Sequence, residues 1–500
     1  MKMNKNFSGL VLATIALKSF LLQGCTDRPS GENEERPNFV ILIADDVSYT
    51  DFGCYGHPVI ETPNTDELAD DGIRFTNAFL TTSSSSPSRV SIITGRYPHN
   101  TGAPELHYPL PENQVVFPEI LQDAGYYTAQ AGKWHFGESG HKPSGPALEA
   151  FNRTGGSHLD GGGPSGSERW VEYLKERPGD KPFFMWFAAH DAHRPWDGDY
   201  PVRYDPGDVV VPEYMVDNDS TRKDLASYYG EVTRFDTYVG KVVAELKKQG
   251  VFDNTFIIVM ADNGRPFPRE KTRLYDIGIK TPFVVHYPDG IDRKGEICNG
   301  LISVIDIAPT IIDLAGGEIP QTFQGRSFSS LLEDTGKDFR NYVFAEHNWH
   351  DYMAHERMVR TERYLYIENN LWERSNIGAI DVLGGGAGQS LIEGNEKGSL
   401  TGLQNQIFEK PQPREEFFDC ENDSKQFNNL AEEEQYQAKM KELRKVLEKW
   451  EKVTHDSQPD SLTPDWYDRR TLDPLPQKGT RGILPGEDKG ASTINAPGPF

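Results

Sequence analysis

The sequence predicts an α/β fold, a sheet with helices on both faces, followed by a smaller α+β domain. Three observations carry this. Wholly apolar runs such as Asn38–Ala44 have the pattern of strands buried on both faces. Segments of helical period alternate with such runs over the first two thirds of the chain. Polar clusters stand directly after the runs, at Asp45-Asp46, at Lys133 and His135, at His190 and His193, and at Asp262-Asn263. Ligands in open α/β sheets bind beyond the carboxyl ends of strands, so four distant segments agree on one place.

In order along the chain, Asn38–Ala44 reads as a buried strand and residues 64–72 as a short helix with acids in its first turn. Ser86 suits an N-cap and Pro87 the first helical position, where a missing N–H costs nothing. Residues 117–124 read as a helix stopped by Gly125, and 126–131 as a strand. Residues 167–175 are a helix and 183–189 a strand. A long helix over 221–248 ends at Gly250, and 256–261 and Phe283–His286 are strands. Residues 302–314 read as one helix, with Pro309 near a boundary or kink. From about Asp334 the pattern changes. Short strands at 342–346, 357–360, 364–367 and 417–419 precede a charged amphipathic helix over 431–452, and the glycine cluster at 384–388 reads as a flexible loop. The expected divisions are 37–333 for the α/β domain, 334–455 for the α+β domain and 456–500 for an extended tail rich in Pro, Gly and charge.

The N-terminus is set aside as a targeting segment. Lys2 and Lys5 form a basic start, a short apolar part follows, and Leu22-Gln23-Gly24-Cys25 ends it. The apolar part is too short and broken to span a membrane. This arrangement resembles a bacterial lipoprotein signal, which implies cleavage of residues 1–24, lipid on Cys25 and a polar tether over 25–36. The expected location is the cell envelope, the periplasm ahead of the cell surface. The formal charge of −24 argues against nucleic acid as a partner. Cys54, Cys298 and Cys420 are the other cysteines, without metal-type spacing; three buried thiols or a single disulfide both fit them.

The chemistry centres on Ser83 to Arg96. Ser85 stands at the mouth of a helix, where N–H groups and the dipole favour an anion, and Arg89 follows one turn in. A hydroxyl beside an anion site points to attack on a phosphate or sulfate; a Ser-rich loop with a capped helix has the same sequence. Asp45, Asp46, Asp262 and Asn263 offer only oxygen donors, which suit Ca²⁺ or Mg²⁺ rather than zinc. Solvated turn acids are the alternative.

Ser85-x-Pro87-Ser88-Arg89 followed by Thr94-Gly95 resembles the signature of type I sulfatases, in the branch whose serine is oxidised to formylglycine. The resemblance covers roughly residues 37–316 and thins afterwards. It implies an alkaline-phosphatase-like fold with a mixed, largely parallel sheet. It implies a Ca²⁺ ion on Asp45, Asp46, Asp262, Asn263 and the modified Ser85. It also implies Lys133 and His135 in the Gly-Lys-x-His segment, Lys133 on the sulfate and His135 beside the aldehyde hydrate. His193 would contact the sulfate and protonate the leaving oxygen, and Lys271 would be a second sulfate-binding lysine. His190 would support the site or pack. A serine-type formylglycine-generating maturase is the implied partner.

The run Asp262-Asn263-Gly264-x-Pro266-Phe267-Pro268 resembles the subgroup with heparan N-sulfatase and bacterial polysaccharide sulfatases, ulvan-active ones included. The expected substrate is therefore a sulfated oligosaccharide, ulvan-derived ahead of glycosaminoglycan. His347, His350 and Asp351, around Trp349, form an aromatic and polar stretch suited to sugar contact; a structural loop fits it as well. Two other functions compete. One is a phosphodiesterase or phosphonate hydrolase of the same superfamily, against which the lack of extra histidine ligands for a second metal speaks. The other is an inactive glycan-binding lipoprotein, against which the full set of charged site residues speaks.

Overall fold

The apolar run at Asn38 is the middle of the molecule's main sheet. The structure, a computed structural model, describes residues 36–137, 143–159, 161 and 163–500. The expected signal segment and lipidated Cys25 lie outside the described residues. Nine strands belong to the first part of the chain: β1 (Asn38–Ala44), β2 (Ile73–Phe75), β3 (Ala78–Phe79), β4 (Tyr127–Gly132), β5 (Phe183–Ala188), β6 (Thr255–Ala261), β7 (Phe283–His286), β8 (Glu296–Cys298) and β9 (Ile302–Ser303). Seven of them form one sheet in the order β4-β5-β1-β6-β7-β2-β8. Its first four are mutually parallel, and β7 runs antiparallel to both β6 and β2.

Register decides where function can sit. Ala188 pairs with both Ile43 and Gly132, and Ala44 pairs with Ala261. The carboxyl ends of β4, β5, β1 and β6 therefore finish at one level, and all four polar clusters emerge there.

β1 shows why the sheet is covered on both sides. Phe39, Ile41 and Ile43 belong to one core and Val40, Leu42 and Ala44 to the other, as a strand's alternation requires. The first core holds the helices Ser85–Thr94, Phe117–Asp123 and Ile307–Leu314. The second holds Pro63–Asp71, Trp170–Glu176 and the long Asp219–Gln249. Asn218 caps that long helix by accepting from the Thr221 N–H at 2.9 Å, and Gly250 ends it in the left-handed region at φ 68°. Each fully buried Ile or Phe contributes roughly 1.5–3 kcal/mol.

The second sheet is antiparallel: β10 (Val343–His347), β11 (Glu356–Arg360), β12 (Tyr364–Asn369) and β13 (Glu415–Asp419), in that order. Alternation again sorts its residues. Val359, Tyr366 and Phe417 pack with Leu443, Leu447 and Trp450 of the helix Gln437–Thr454. Met358, Leu365 and Phe418 pack with Leu274 and Ile279 of the first part of the chain. By its contacts Arg36–Phe500 is one unit. Residues 456–500 return along it: Arg96 donates to Asn495 Oδ1 at 2.7 Å and to the Ile494 carbonyl at 2.8 Å.

Three expectations are corrected. The helix expected to start at Pro87 starts at Ser85, with Ser84 in the N-cap position, so Pro87 is its third residue, still within the turn whose N–H groups lack partners. The single helix over 302–314 is β9, a 3₁₀ turn at Val304–Asp306 and the helix Ile307–Leu314, because Ser303 and Asp306 form a capping box. The glycine cluster is no flexible loop. It joins the helices Ile380–Gly384 and Gly386–Lys397. A Cβ on Gly385 would meet the Arg194 guanidinium at 2.4 Å and one on Gly386 the Ser220 carbonyl at 2.7 Å, so these glycines serve close packing. Cys54, Cys298 and Cys420 are free thiols, Cys298 buried and the other two half-buried.

Candidate active site

Four strand ends and one helix start build the site. Ser85 opens its helix and is 2 % exposed. Its Oγ lies 3.2 Å from Asp45 Oδ1, 2.9 Å from Asn263 Oδ1 and 3.3 Å from Lys133 Nζ. Lys133 also donates to Asp45 Oδ2 at 2.5 Å. It reaches this position because Gly132 ends β4 at φ 94°, where a Cβ would stand 1.9 Å from the Ala188 carbonyl oxygen. Only glycine allows that approach.

Arg89, one turn into the helix, is fully buried and faces carboxylates rather than the cavity. Its Nε donates to Asp262 Oδ2 at 2.8 Å, and Nη2 lies 3.4 Å from Asp45 Oδ1. Asp46 accepts from Asn263 Nδ2 at 2.6 Å, and its own N–H donates to Asp262 Oδ1 at 3.1 Å. Asp45, Asp46 and Asp262 each offer an oxygen to one point, all within 4.8 Å of one another and all buried.

Electrostatics distinguish two members of this trio. Burial would raise Asp45, yet Lys133, Arg89 and His193 hold it well below the usual carboxylate range. Burial pushes Asp262 up to about 6 despite Arg89, with Asp45 adding to the rise. A carboxylate buried among others and still short of positive charge is what a divalent ion relieves. Three carboxylates and an amide oxygen fit a hard cation.

Lys271 stands across the site. Its Nζ is 2.7 Å from Asp46 Oδ2 and 2.8 Å from Asp381 Oδ2, and despite burial these acids raise its pKa and keep it charged. Asp46, His193 and Asp381 form a second ligand-like trio, and the Lys271 ammonium bridges two of its members. His193 is a third exposed at its side chain. Its Nδ1 lies 2.5 Å from the Arg194 carbonyl oxygen and so must carry the proton. Nε2 then faces Asp381 at 3.7 Å and Asp46 at 3.9 Å.

His135 is buried, and burial with Lys133 and His107 nearby lowers its pKa well below the usual value, so it is neutral. Its Nε2 meets His107 Nδ1 at 2.8 Å, while its buried Nδ1 has no partner among the described residues. Asp46, His107, His135, Thr272 and Asp351 all have positive φ, a concentration of backbone strain around one site.

Above Ser85 opens a cavity of about 870 Å³, lined by Lys133, His135, His193 and Lys271 among others. His350 and Asp351 reach its wall, with His350 Nδ1 2.7 Å from Ser84 Oγ. His347 is not brought there: it pairs with Glu356 Oε2 at 2.8 Å beside a separate, small hollow. His190 lines the cavity against His158, at 2.9 Å between ring nitrogens. Sequence reasoning missed Asp381 and His107. Asp381 falls beside the glycine cluster, 110 residues from Lys271, with no local signal.

The comparisons with known proteins agree with this geometry. A family model described as "Sulfatase" matches residues 37–157 and 166–317, and "N-sulphoglucosamine sulphohydrolase, C-terminal" matches 269–377. An ulvan-active sulfatase of Formosa agariphila is 30% identical over 457 residues, covering 83% of this chain and 75% of that protein. N-sulphoglucosamine sulphohydrolase of Homo sapiens is 30% identical over 481 residues, covering 87% and 94%. A solved structure of a protein in complex with its substrate D-glucosamine-2-N,6-O-disulfate superposes with a TM-score of 0.62 at 22% identity, covering 84% of this chain and 98% of that one, and so shares the fold. The chain belongs to the sulfatase family, has its alkaline-phosphatase-like fold, and is a sulfuric ester hydrolase.

Proposed function

We propose that this enzyme removes sulfate from sulfated oligosaccharides, using Ser85 oxidised to formylglycine and a Ca²⁺ ion. The observation that carries the reading is the setting of Ser85 Oγ: within 3.3 Å of Asp45, Asn263 and Lys133, at the floor of an open cavity. Asp45, Asp46, Asp262 and Asn263, with the modified Ser85, would hold the ion, which when bound acidifies a hydroxyl and polarises a sulfate oxygen. Formylglycine, when hydrated, supplies a second hydroxyl, so that sulfate can be expelled without water attacking a stable serine ester.

The chain's own groups do the rest. Lys133 and Lys271 flank the place above Ser85 where a sulfate would sit and stabilise the charge that develops on its oxygens. Arg89 fixes Asp45 and Asp262 from below. His193 presents Nε2 at the cavity wall; in its imidazolium form, with Nδ1–H held by the Arg194 carbonyl, it can give the Nε2 proton to the leaving oxygen. Neutral His135 lines the same cavity, with His107 on its Nε2.

The saccharide class rests on the names of the relatives, which act on ulvan and on N-sulphoglucosamine, together with a cavity large enough for a sugar ring. Ulvan fragments are our first choice, glycosaminoglycan fragments the second. We further propose an exported lipoprotein anchored through Cys25, matured by a serine-type formylglycine-generating enzyme. The test offers matured protein a panel of sulfated oligosaccharides and a matched pair of aryl sulfate and aryl phosphate. Sulfate release from both the aryl ester and at least one sugar is expected. Phosphate release alone would overturn the assignment.

A further inference from the structure

The cavity is large, and among the described residues the lysines that line it are those near Ser85. Around Ser85 stand Lys133 and Lys271. Two arginines also line the cavity, and both are already paired with acids. Arg194 makes a two-pronged pair with Asp224, at 2.5 and 2.8 Å. Arg234 makes another with Asp191, at 2.5 and 3.0 Å, and its remaining Nη1 donates to Asp197 at 2.8 Å. Planar guanidinium forks held this way have little left for a second anion.

The rest of that wall is acidic or neutral. Asp197 is exposed at the rim, and Glu231 lines the cavity beside it. Burial and the neighbouring Asp191 push Glu231 up, so that it is held as a neutral carboxylic acid. His190 is kept neutral by burial and by His158. Asp351 adds a carboxylate to the lining, and Asp381 adds one that Lys271 already holds at 2.8 Å. Among the described residues lining the cavity, no uncompensated lysine or arginine stands outside the Ser85 end.

We propose that the cavity accepts one sulfate only, and selects a sugar whose other groups inside it are hydroxyl or amino donors rather than further sulfates or carboxylates. This rests on the saccharide reading above and narrows it. A hydroxyl finds acceptors in Asp197, Asp381 and the neutral acid of Glu231. A second sulfate would find no unpaired lysine or arginine among the described lining residues, and Asp197, which shares the Arg234 guanidinium with Asp191, would repel it.

The test is competition against hydrolysis of para-nitrophenyl sulfate by matured enzyme at low ionic strength. The competitors are a positional set of hexose monosulfates and the matching disulfates. The best monosulfate should inhibit at about tenfold lower concentration than the disulfates that contain it, a difference of about 1.4 kcal/mol. Asp197→Asn, at the exposed rim, should narrow that gap. Disulfates that compete equally well or better would overturn the proposal, as would an unchanged gap in Asp197→Asn. If no hexose sulfate competes while the aryl ester is still cleaved, the saccharide reading fails and this inference with it. If the aryl ester itself is not cleaved, the fault lies in the site assignment.

Discussion

Lys271 Nζ joins Asp46, at the end of β1, to Asp381, at the start of the helix Ile380–Gly384, with distances of 2.7 and 2.8 Å. One ammonium thus couples the Asp45, Asp46 and Asp262 trio to the cavity wall. Asp381→Asn keeps the shape and removes the charge. It should lower kcat/KM for para-nitrophenyl sulfate about tenfold, or about 1.4 kcal/mol, because Lys271 is then drawn onto Asp46 alone. Steady-state kinetics on wild type and variant check this; an unchanged kcat/KM would remove Asp381 from the site.

Removal of the cation should abolish activity. Asp45, Asp46, Asp262 and Asn263 provide oxygen donors only, so a strong chelator should inactivate and Ca²⁺ should restore. Asp262→Ala should lose most activity while its circular dichroism stays native. Reactivation by zinc and not by calcium would show that the donor set has been misread.

Glu356 yields a prediction for acid stability. Burial alone would raise its pKa, but His347, Arg273 and Asn376 bring it down to about 2. A carboxyl depressed in the folded state stabilises fully above its ordinary value of 4.5 and loses that contribution as pH falls towards 2. The stake is at most about 3 kcal/mol. Urea midpoints of wild type should fall across this window, and Glu356→Gln should fall less steeply. Parallel pH profiles would contradict the account.

A buried ion network secures the second sheet. Arg357 on β11 pairs with Asp456 through both carboxylate oxygens and lies 3.5 Å from Glu346, which in turn accepts from His99 Nδ1 at 2.9 Å. Arg357→Ala leaves buried carboxylates without their cation and should cost about 3–5 kcal/mol in denaturant unfolding. A cost of about 1 kcal/mol, usual for an exposed pair, would show that the network is solvated.

What could be read from the sequence was what adjacency encodes. Asp45, Asp46, His135, His193, Asp262 and Asn263 each follow a buried apolar run closely, so strand ends alone place them together. The start of the Ser85 helix was misplaced by two residues because a proline is acceptable at any position of the first turn, not only the first. The helix junction at Gly385 was invisible because glycine there answers to Arg194 and Ser220, residues far away in sequence. Asp381 and His107 were missed for the same reason: their roles come from Lys271 and His135, and nothing beside them in the chain signals it. The three-residue strands β2 and β8 are too short to show a period.

The central claim is that Ser85 is the reacting residue after oxidation. Mass spectrometry of the peptide containing Ser85, from protein produced with a serine-competent maturase, tests it directly. The account predicts a loss of two hydrogens at Ser85, with sulfatase activity proportional to the converted fraction. Full activity in protein whose Ser85 is entirely unmodified would contradict it.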